Sequence, residues 1–299
     1  MNLNQLQYVL QVAKNKSFSL AAEDLFISQS TLSQQIMNLE NELGTKLFVR
    51  TTRDVRITDA GRAFVQEAAE ILRRTEGLRQ SMSDYAGLLK GTLNIGAINA
   101  LETIHFSQII TDFYSAFPQL TVNIVGNSSY PLLDALENRS LDIAFLTRPV
   151  KGSWPTLQFD SVGVDHYCLL VAKKHPLADR KTVALQELKE DRFILHQPTQ
   201  AVSDICLAAC EEAGFSPNIV CRNSAAPISA NLVRAGLGVG FFTMEESEGF
   251  LGPDLARLTL KKPIRKEIVM VTPRTHEPSR LVGVFIDFVM HWLAAQDGD

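Results

Sequence analysis

Residues 18–44, FSLAAEDLFISQSTLSQQIMNLENELG, hold two short amphipathic segments separated by a tight apolar turn. Ser17 or Ser19 can cap the first, which carries Ala21, Ala22 and Leu25, and the paired alanines allow a neighbouring helix to approach closely. Phe26-Ile27 makes the turn, and Ser28 or Gln29 starts the second segment. At about 3.6 residues per turn, Leu32, Ile36, Leu39 and Leu43 fall in a narrow arc and face inward. Ser30, Gln34, Met37 and Asn41 point the opposite way, with Gln29 and Ser33 on the flanks. Gly44 follows the last turn, where a glycine commonly ends a helix.

Upstream, Asn2 and Gln5 have the spacing of a capping pair, and Leu6, Val9, Leu10 and Ala13 form one apolar face of an earlier helix. Three short helices, with a tight turn before a third whose outer face is small and amide-bearing, match a helix-turn-helix. Glutamine can pair bidentately with adenine, and serine can meet donors or acceptors. On the helix pattern alone, a three-helix scaffold with a solvated polar face fits as well.

The next segment favours DNA. Lys46 to Thr58 alternates apolar and polar residues on both sides of a turn at Thr52 to Asp54, the pattern of a two-stranded hairpin or wing. Lys46, Arg50, Arg53 and Arg56 gather there beside a single acid, Asp54, and such a ribbon can grip phosphates and enter a narrow minor groove. A solvated basic loop is the blander alternative. Thr58 is positioned to cap a further helix, whose first turn Gly61 keeps slim. Phe64, Ala68, Ile71, Thr75, Leu78, Met82, Tyr85 and Leu89 then recur in alternating steps of four and three, a coiled-coil seam. Roughly thirty residues make a rod of about 45 Å. Such a seam cannot be buried by one rod, so a homodimer through this helix is expected, reading two related half-sites; packing on the chain's own C-terminal part is the alternative. Lys90-Gly91-Thr92 breaks the helix and forms a hinge.

Phe18 to Leu25, Ser28 to Ile36, Leu39-Glu40, Leu43 to Phe48, Arg50, and Thr58-Asp59-Ala60-Gly61 together resemble the LysR-type transcriptional regulator family, with spacing kept over the whole segment. The resemblance implies a winged helix-turn-helix, a linker helix and a two-lobed α/β effector domain similar to type 2 periplasmic binding proteins. It implies base contacts from Gln29, Ser30, Ser33 and Gln34 and contacts to the backbone and minor groove from Arg50 and Arg53; Ser28, Thr31 and Asn38 complete the candidate set. Many members carry proline where this chain has Ser30 and arginine where it has Gln34, which bears on base preference and not on docking mode. The expected partners are double-stranded promoter DNA, a small-molecule effector, further copies of the chain up to a homotetramer, and RNA polymerase.

From Gly91 onward strands and helices alternate. Thr92 to Ile98, Leu120 to Val125 and Ile143 to Leu146 read as strands, with helices at Ile104 to Phe117 and Leu132 to Leu136. A second set has strands at Val162 to Ala172, Phe193 to Leu195, Ile219 to Cys221 and Val239 to Phe242, and a helix at Ile205 to Ala213. Ile268 to Val271 leads to a last helix near Leu281 to Leu293. The alternation implies an open, mostly parallel sheet. The expected domains are 1–58, 59–90 and 91–299, the last divided into lobe 1 (about 91–161 and 266–299) and lobe 2 (about 162–265).

Ligands of such sheets lie at the carboxyl ends of the strands and between lobes. The facing strand ends are Ile98-Asn99-Ala100, Gly126-Asn127-Ser128-Ser129, Thr147-Arg148 and His196-Gln197; Phe242 joins the candidates, although Phe241-Phe242 reads first as core. Helix N-termini at these turns favour an anionic metabolite, with Arg148 as a carboxylate clamp or, alternatively, an interlobe salt bridge. The resemblance implies effector positions near Asn99, Ser128 and Arg148.

Other signals carry less. Gly236-Leu237-Gly238-Val239-Gly240 follows a helix and precedes a strand, the reverse of a dinucleotide-binding turn. Cys206 and Cys210 stand on one helix face with no histidine at ligand spacing, so buried thiols fit better than a metal or redox site, although relatives include thiol sensors. His105, His166, His175, His276 and His291 are scattered, and no nucleophile is grouped with a base, so neither an enzyme nor a cofactor is expected. The competing reading is a solute-binding protein or an enzyme on the α/β lobes.

At 299 residues two or more domains are the default, and 45% apolar and 21% charged residues are ordinary for a globular chain. The net charge of -4 argues against coating nucleic acid along the whole surface, though not against a local basic patch. No uncharged apolar run reaches the roughly 18 residues a membrane span needs. Met1-Asn2-Leu3-Asn4-Gln5 lacks the features of a signal peptide, so a cytoplasmic protein is expected. The four cysteines are too sparse for a disulfide framework.

Overall fold

The computed structural model describes residues 1–50, 55–85, 91–274 and 279–296, with Arg50, Arg73, Glu76, Gly77 and residues 79–85 described by backbone only. The chain divides into two compact units, Met1–Leu88 and Leu89–Asp299.

The first unit holds α1 (Leu3–Asn15), α2 (Phe18–Asp24), α3 (Gln29–Leu43), β1 (Phe48–Arg50), β2 (Val55–Ile57) and α4 (Asp59–Tyr85). Asn2 and Gln5 form a reciprocal capping box on α1, and Ser17 caps α2. The buried face of α1 is Gln5, Leu6, Val9 and Val12, rotated from the expected one, so Leu10 and Ala13 are only half-buried. Val9, Val12, Phe18, Ala21, Ala22, Leu32, Ile36 and Leu39 share one core, into which Phe48 delivers the wing by an edge-on contact with Phe18. Phe26 makes the turn with a left-handed backbone, φ 54°, and its ring faces solvent. Gly44 ends α3 in the left-handed conformation, φ 68°. Leu43, expected inward, is exposed because Glu40 takes the inner position of the last turn.

The wing pairs Phe48 with Ile57, Val49 with Arg56 and Arg50 with Val55. Its turn, with Arg53, lies outside the described residues, as do Leu89 and Lys90 of the expected seam and hinge. Thr58 Oγ1 accepts the Gly61 amide at 2.9 Å and donates to the Lys46 carbonyl at 2.7 Å, fastening the start of α4 to the wing. A Cβ on Gly61 would run into the Leu47 carbonyl oxygen, so glycine is required by close approach. The 27 residues of α4 extend about 40 Å. Along the expected seam Ala68 is buried and Phe64 and Thr75 half-buried, whereas Ile71 and Leu78 are exposed.

The second unit has β3 (Gly91–Ala97), α5 (Phe106–Ala116), β4 (Leu120–Gly126), α6 (Ser129–Glu137), β5 (Ile143–Thr147) and β6 (Leu157–Ala172). After them come β7 (Thr182–Val183), β8 (Arg192–His196), α7 (Ala201–Glu212), β9 (Asn218–Asn223), α8 (Ala226–Arg234), β10 (Val239–Thr243), α9 (Met244–Glu248), β11 (Leu255–Pro273) and α10 (Arg280–Gln296). The sheet runs β4-β3-β5-β11-β6-β10-β8-β9, with β7 beside β11. Each lobe has a parallel set, β4-β3-β5 in one and β10-β8-β9 in the other. The sheet is nevertheless mixed rather than mostly parallel. β6 and β11 pass between the lobes as a long antiparallel pair and meet β5 and β10 antiparallel, because the chain crosses once and returns once. Clusters around Phe113, Phe145 and Phe285 and around Leu132 and Leu146 cover the two faces of the first lobe's sheet; clusters around Phe193 and Phe241 and around Leu170 and Phe242 cover the second. Gly236, φ 78°, leads from α8 toward β10, the expected helix-to-strand turn. No described helix is long and apolar enough to cross a membrane.

Candidate nucleic-acid interface and effector cleft

The buried Leu32, Ile36 and Leu39 fix which side of α3 faces out. Gln29, Ser30, Thr31, Gln34 and Asn38 are exposed on that side, and Ser33 is half-buried at its edge. Ser28 is spent on capping: its hydroxyl accepts the Thr31 amide at 3.1 Å and lies 2.8 Å from the hydroxyls of Ser30 and Thr31. Gln29 accepts from Ser19 at 3.1 Å, which ties α2 to the start of α3. The Gln34 amide nitrogen donates to Asn38 Oδ1 at 2.9 Å, leaving the Gln34 carbonyl and the Asn38 NH₂ for other partners.

A groove of about 460 Å³ separates α3 from β1, lined by Ser30, Ser33, Gln34 and Met37 on one wall and by Lys46 and Val49 on the other. Glu40 holds this groove in shape. Its buried carboxylate accepts the Leu47 and Phe48 amides on Oε1, at 2.9 and 3.2 Å, and pairs through Oε2 with Lys46 at 2.8 Å. Asp54 is therefore not the wing's only acidic neighbour, and Lys46 is neutralised by a partner on α3. The sequence pattern missed Glu40 because a glutamate late in a helix ordinarily reads as solvated. The Arg50 side chain and Arg53 lie outside the described residues.

In the second unit the strand ends converge on a cavity of about 800 Å³ between the lobes. Ile98, Asn99 and Ala100 line it from β3, Asn127 and Ser128 from the end of β4, and Thr147 from β5. His196 and Gln197 line it from β8. Two expected residues are absent from the lining. Arg148 turns away: its Nε lies 2.8 Å from Glu267 Oε2 and its guanidinium covers the Phe159 ring at 5.5 Å. Phe242 is buried in the core against Phe250. It points away because both faces of the sheet are covered, Phe241 into one cluster and Phe242 into the other.

The cavity also gathers residues the sequence reading did not select. Lys266, buried on β11, donates to the Ala100 carbonyl at 2.9 Å. Glu102, Glu245 and Glu246 line the same space. Burial lowers the Lys266 pKa against the raising pull of Glu246 and Asp165, and burial raises the Glu246 pKa. Thr147 Oγ1 and Tyr167 Oη are buried at the wall and have no hydrogen-bond partner among the described residues. Burial holds Tyr167 protonated and, as the largest influence, lowers the His196 imidazole, so both present neutral groups near pH 7. α6, α7 and α8 all begin at the cavity, and none has a side-chain cap on its first amides. Lys266 escaped notice because Arg265-Lys266-Glu267 reads as a solvated charge run.

At the α6–α7 side, Asp204 accepts from Tyr130 at 2.6 Å and from Lys151 at 2.8 Å, joining the lobes. Burial pushes the Asp204 carboxyl up, but these hydrogen bonds prevail and hold it below its ordinary value. A smaller depression of about 450 Å³ beside α7 has aliphatic walls, and its Lys262 and Glu212 pair with each other. Cys168, Cys206 and Cys210 are buried, and burial raises their thiols, to about 11 for Cys168 and about 12 for Cys210. Among the described residues no group of three or more His, Cys, Asp or Glu could hold a metal ion.

Residues 3–62 match the family model described as bacterial regulatory helix-turn-helix protein, lysR family, and residues 86–294 match the LysR substrate binding domain. The chain is 28% identical to the transcriptional dual regulator GltC of Bacillus subtilis, over 98% of each chain. It is 30% identical to the DNA-binding transcriptional dual regulator OxyR of Escherichia coli, over 80% of this chain and 78% of that one. Among solved structures, full-length CbnR complexed with its target DNA superposes with a TM-score of 0.74 at 20% identity, over 98% of this chain and 100% of that one. The effector-binding domain of QuiR in complex with shikimate aligns with 69% of this chain and 98% of its own, at 18% identity and a TM-score of 0.63. With a helix-turn-helix ahead of a two-lobed ligand-binding domain and both family models matched, the chain belongs to the LysR family of DNA-binding transcriptional regulators.

Proposed function

We propose that this regulator binds a near-palindromic promoter site as an oligomer and changes its hold on that site when a small metabolite enters the cleft between the lobes. The observation that carries the DNA half is the division of α3: Leu32, Ile36 and Leu39 are wholly buried, while Gln29, Ser30, Gln34 and Asn38 stand in solvent beside the wing. Amide and hydroxyl groups on a rigid, well-anchored helix suit base edges in the major groove. Ser28 and Thr31 shape the helix start, and Arg50 and Arg53 are assigned to the sugar-phosphate backbone and minor groove by resemblance.

The exposed Ile71 and Leu78 continue the seam of α4 and support a dimer through that helix, from which a tetramer is built by pairing dimers. Asn99, Asn127, Ser128, Thr147, His196 and Gln197 are the proposed effector contacts, now joined by Tyr167 and Lys266 in place of Arg148 and Phe242. A ligand preferring one lobe arrangement shifts the population of that arrangement and so the spacing of the DNA-binding units. A protein of this kind works in the cytoplasm and needs no catalytic group. Burial of Cys168, Cys206 and Cys210, which leaves Cys221 as the one partly accessible thiol, favours ligand sensing over the peroxide response named for some relatives. A footprint on the DNA flanking its own gene tests the reading: protection of two related half-sites at moderate salt supports it, and no protection there overturns it.

A further inference from the structure

The cleft has unlike ends. At one end α6 and α7 begin, with the first backbone amides of both helices uncapped by side chains and Ser128, Ser129, Thr199 and Gln200 around them. Helices of 9 and 12 residues present the positive ends of their dipoles here. At the other end α9 packs against the short turn Glu102–Ile104, and this brings Glu245, Glu246 and Glu102 to one wall. Asp165 stands behind them, buried.

Among the described residues of the lining, the acids Glu102, Glu245 and Glu246 face Lys266 as the one Lys or Arg. Lys266 is already held by the Ala100 carbonyl, and Glu246, Asp165, Glu102 and Glu245 all act on it. A second anion brought to this wall would meet an excess of negative charge. A positive group brought to the α6–α7 end would meet helix dipoles of the wrong sign, because Asp204, the acid in the first turn of α7, is already taken up by Tyr130 and Lys151. Thr147 and Tyr167 also line the cavity, and their hydroxyls, each on a residue more than nine-tenths buried, have no partner among the described residues. Buried hydroxyls without partners are costly unless a bound molecule completes them.

We infer that the effector is a zwitterion, with an ammonium group against Glu102, Glu245 and Glu246 and a carboxylate against the N-termini of α6 and α7. This rests on the cleft being the effector site. It narrows the ligand class from any small anion to amino-carboxylates. The acids serve as the selecting element, since a wall with an excess of like charge disfavours the carboxylate that lacks an ammonium.

Thermal shift and calorimetry on the full-length protein test this with matched probes. These are the common α-amino acids, 4-aminobutanoate and 5-aminopentanoate; the carboxylates without the amine, including butanoate and pentanoate; and amines without the carboxylate, including butylamine. At least one amino-carboxylate is expected to bind, with its matched acid and amine weaker by about tenfold or more. Glu246→Gln and, should that variant fold poorly, the more exposed Glu245→Gln should each remove most of that preference. A plain carboxylate that binds as tightly as its amino partner, and is lost in Thr147→Val, overturns the zwitterion but keeps the cleft as the effector site. Binding indifferent to Thr147→Val, Glu245→Gln and Glu246→Gln lies elsewhere and overturns both. Failure of every amino-carboxylate to bind overturns the zwitterion.

Discussion

Replacing Glu40 tests how the wing is held to α3. Its side chain is 7% exposed, and its two oxygens do different work. Oε1 accepts the Leu47 and Phe48 amides at 2.9 and 3.2 Å, while Oε2 pairs with Lys46, whose side chain is 63% exposed. Glu40→Ala leaves two amides without an acceptor, each costing about 1–3 kcal/mol, so a loss of about 2–6 kcal/mol is expected. Glu40→Gln keeps a carbonyl oxygen for both amides and gives up the solvent-screened pair, worth about 0–1 kcal/mol. It also turns an NH₂ toward the Lys46 ammonium, so its total cost should be about 1 kcal/mol. The chain offers an internal control, because both tryptophans, Trp154 and Trp292, lie in the second unit. In urea unfolding, Glu40→Ala should shift part of the loss of helical circular dichroism to lower urea and leave the tryptophan fluorescence transition in place. DNA affinity should fall with it. Equal losses from alanine and glutamine would refute the division of labour between the two oxygens. A matching shift in tryptophan fluorescence would refute the assignment to the first unit.

Gly61→Ala should destabilise the same unit by about 1–3 kcal/mol, because the new Cβ meets the Leu47 carbonyl and, at 2.7 Å, Ile57 Cγ1; overpacking outweighs the gain of about 1 kcal/mol in helix propensity, and a raised melting temperature would contradict it. His196 supplies a pH dependence. Its folded pKa is lowered, so as pH falls through the ordinary value of about 6.5 the unfolded chain takes up a proton that the folded chain refuses. Stability should therefore decline toward acid pH, by up to about 1.4 kcal/mol per unit from this group until the folded pKa is reached, and His196→Gln should flatten that slope; parallel pH profiles would exclude it. Iodoacetamide at pH 8 should label Cys221 in preference to Cys168, Cys206 and Cys210, which mass spectrometry of the native protein reads directly; rapid labelling of Cys206 or Cys210 would contradict their raised pKa.

Local order was legible in the sequence where neighbours along the chain decide it. The caps at Asn2, Ser17 and Ser28, the inward row of Leu32, Ile36 and Leu39, and the slim first turn at Gly61 all depend on contacts within a few residues or on a single periodicity. The cleft was legible as a place, since the strands that build it were readable one by one. Its charges were not. Arg148 is claimed by Glu267, far along the chain, and Lys266 is buried by β6 and the β3 end, which no local pattern announces. Phe242 shows a related limit: where both faces of a strand are covered, alternation cannot say which residue meets the ligand. α9 went unread because it is short, 5 residues, and it delivers two of the three acids.

The most direct measurement is selection of binding sites from a randomised duplex pool by the wild type and by Gln34→Ala in parallel. If the outer face of α3 lies on base edges, the wild type recovers two half-sites of related sequence. The variant should keep their spacing but lose discrimination at one or two positions in each, a cost of about 1–3 kcal/mol per contact. An unchanged consensus from Gln34→Ala, or no enriched sequence from the wild type, would contradict a base-reading role for that face.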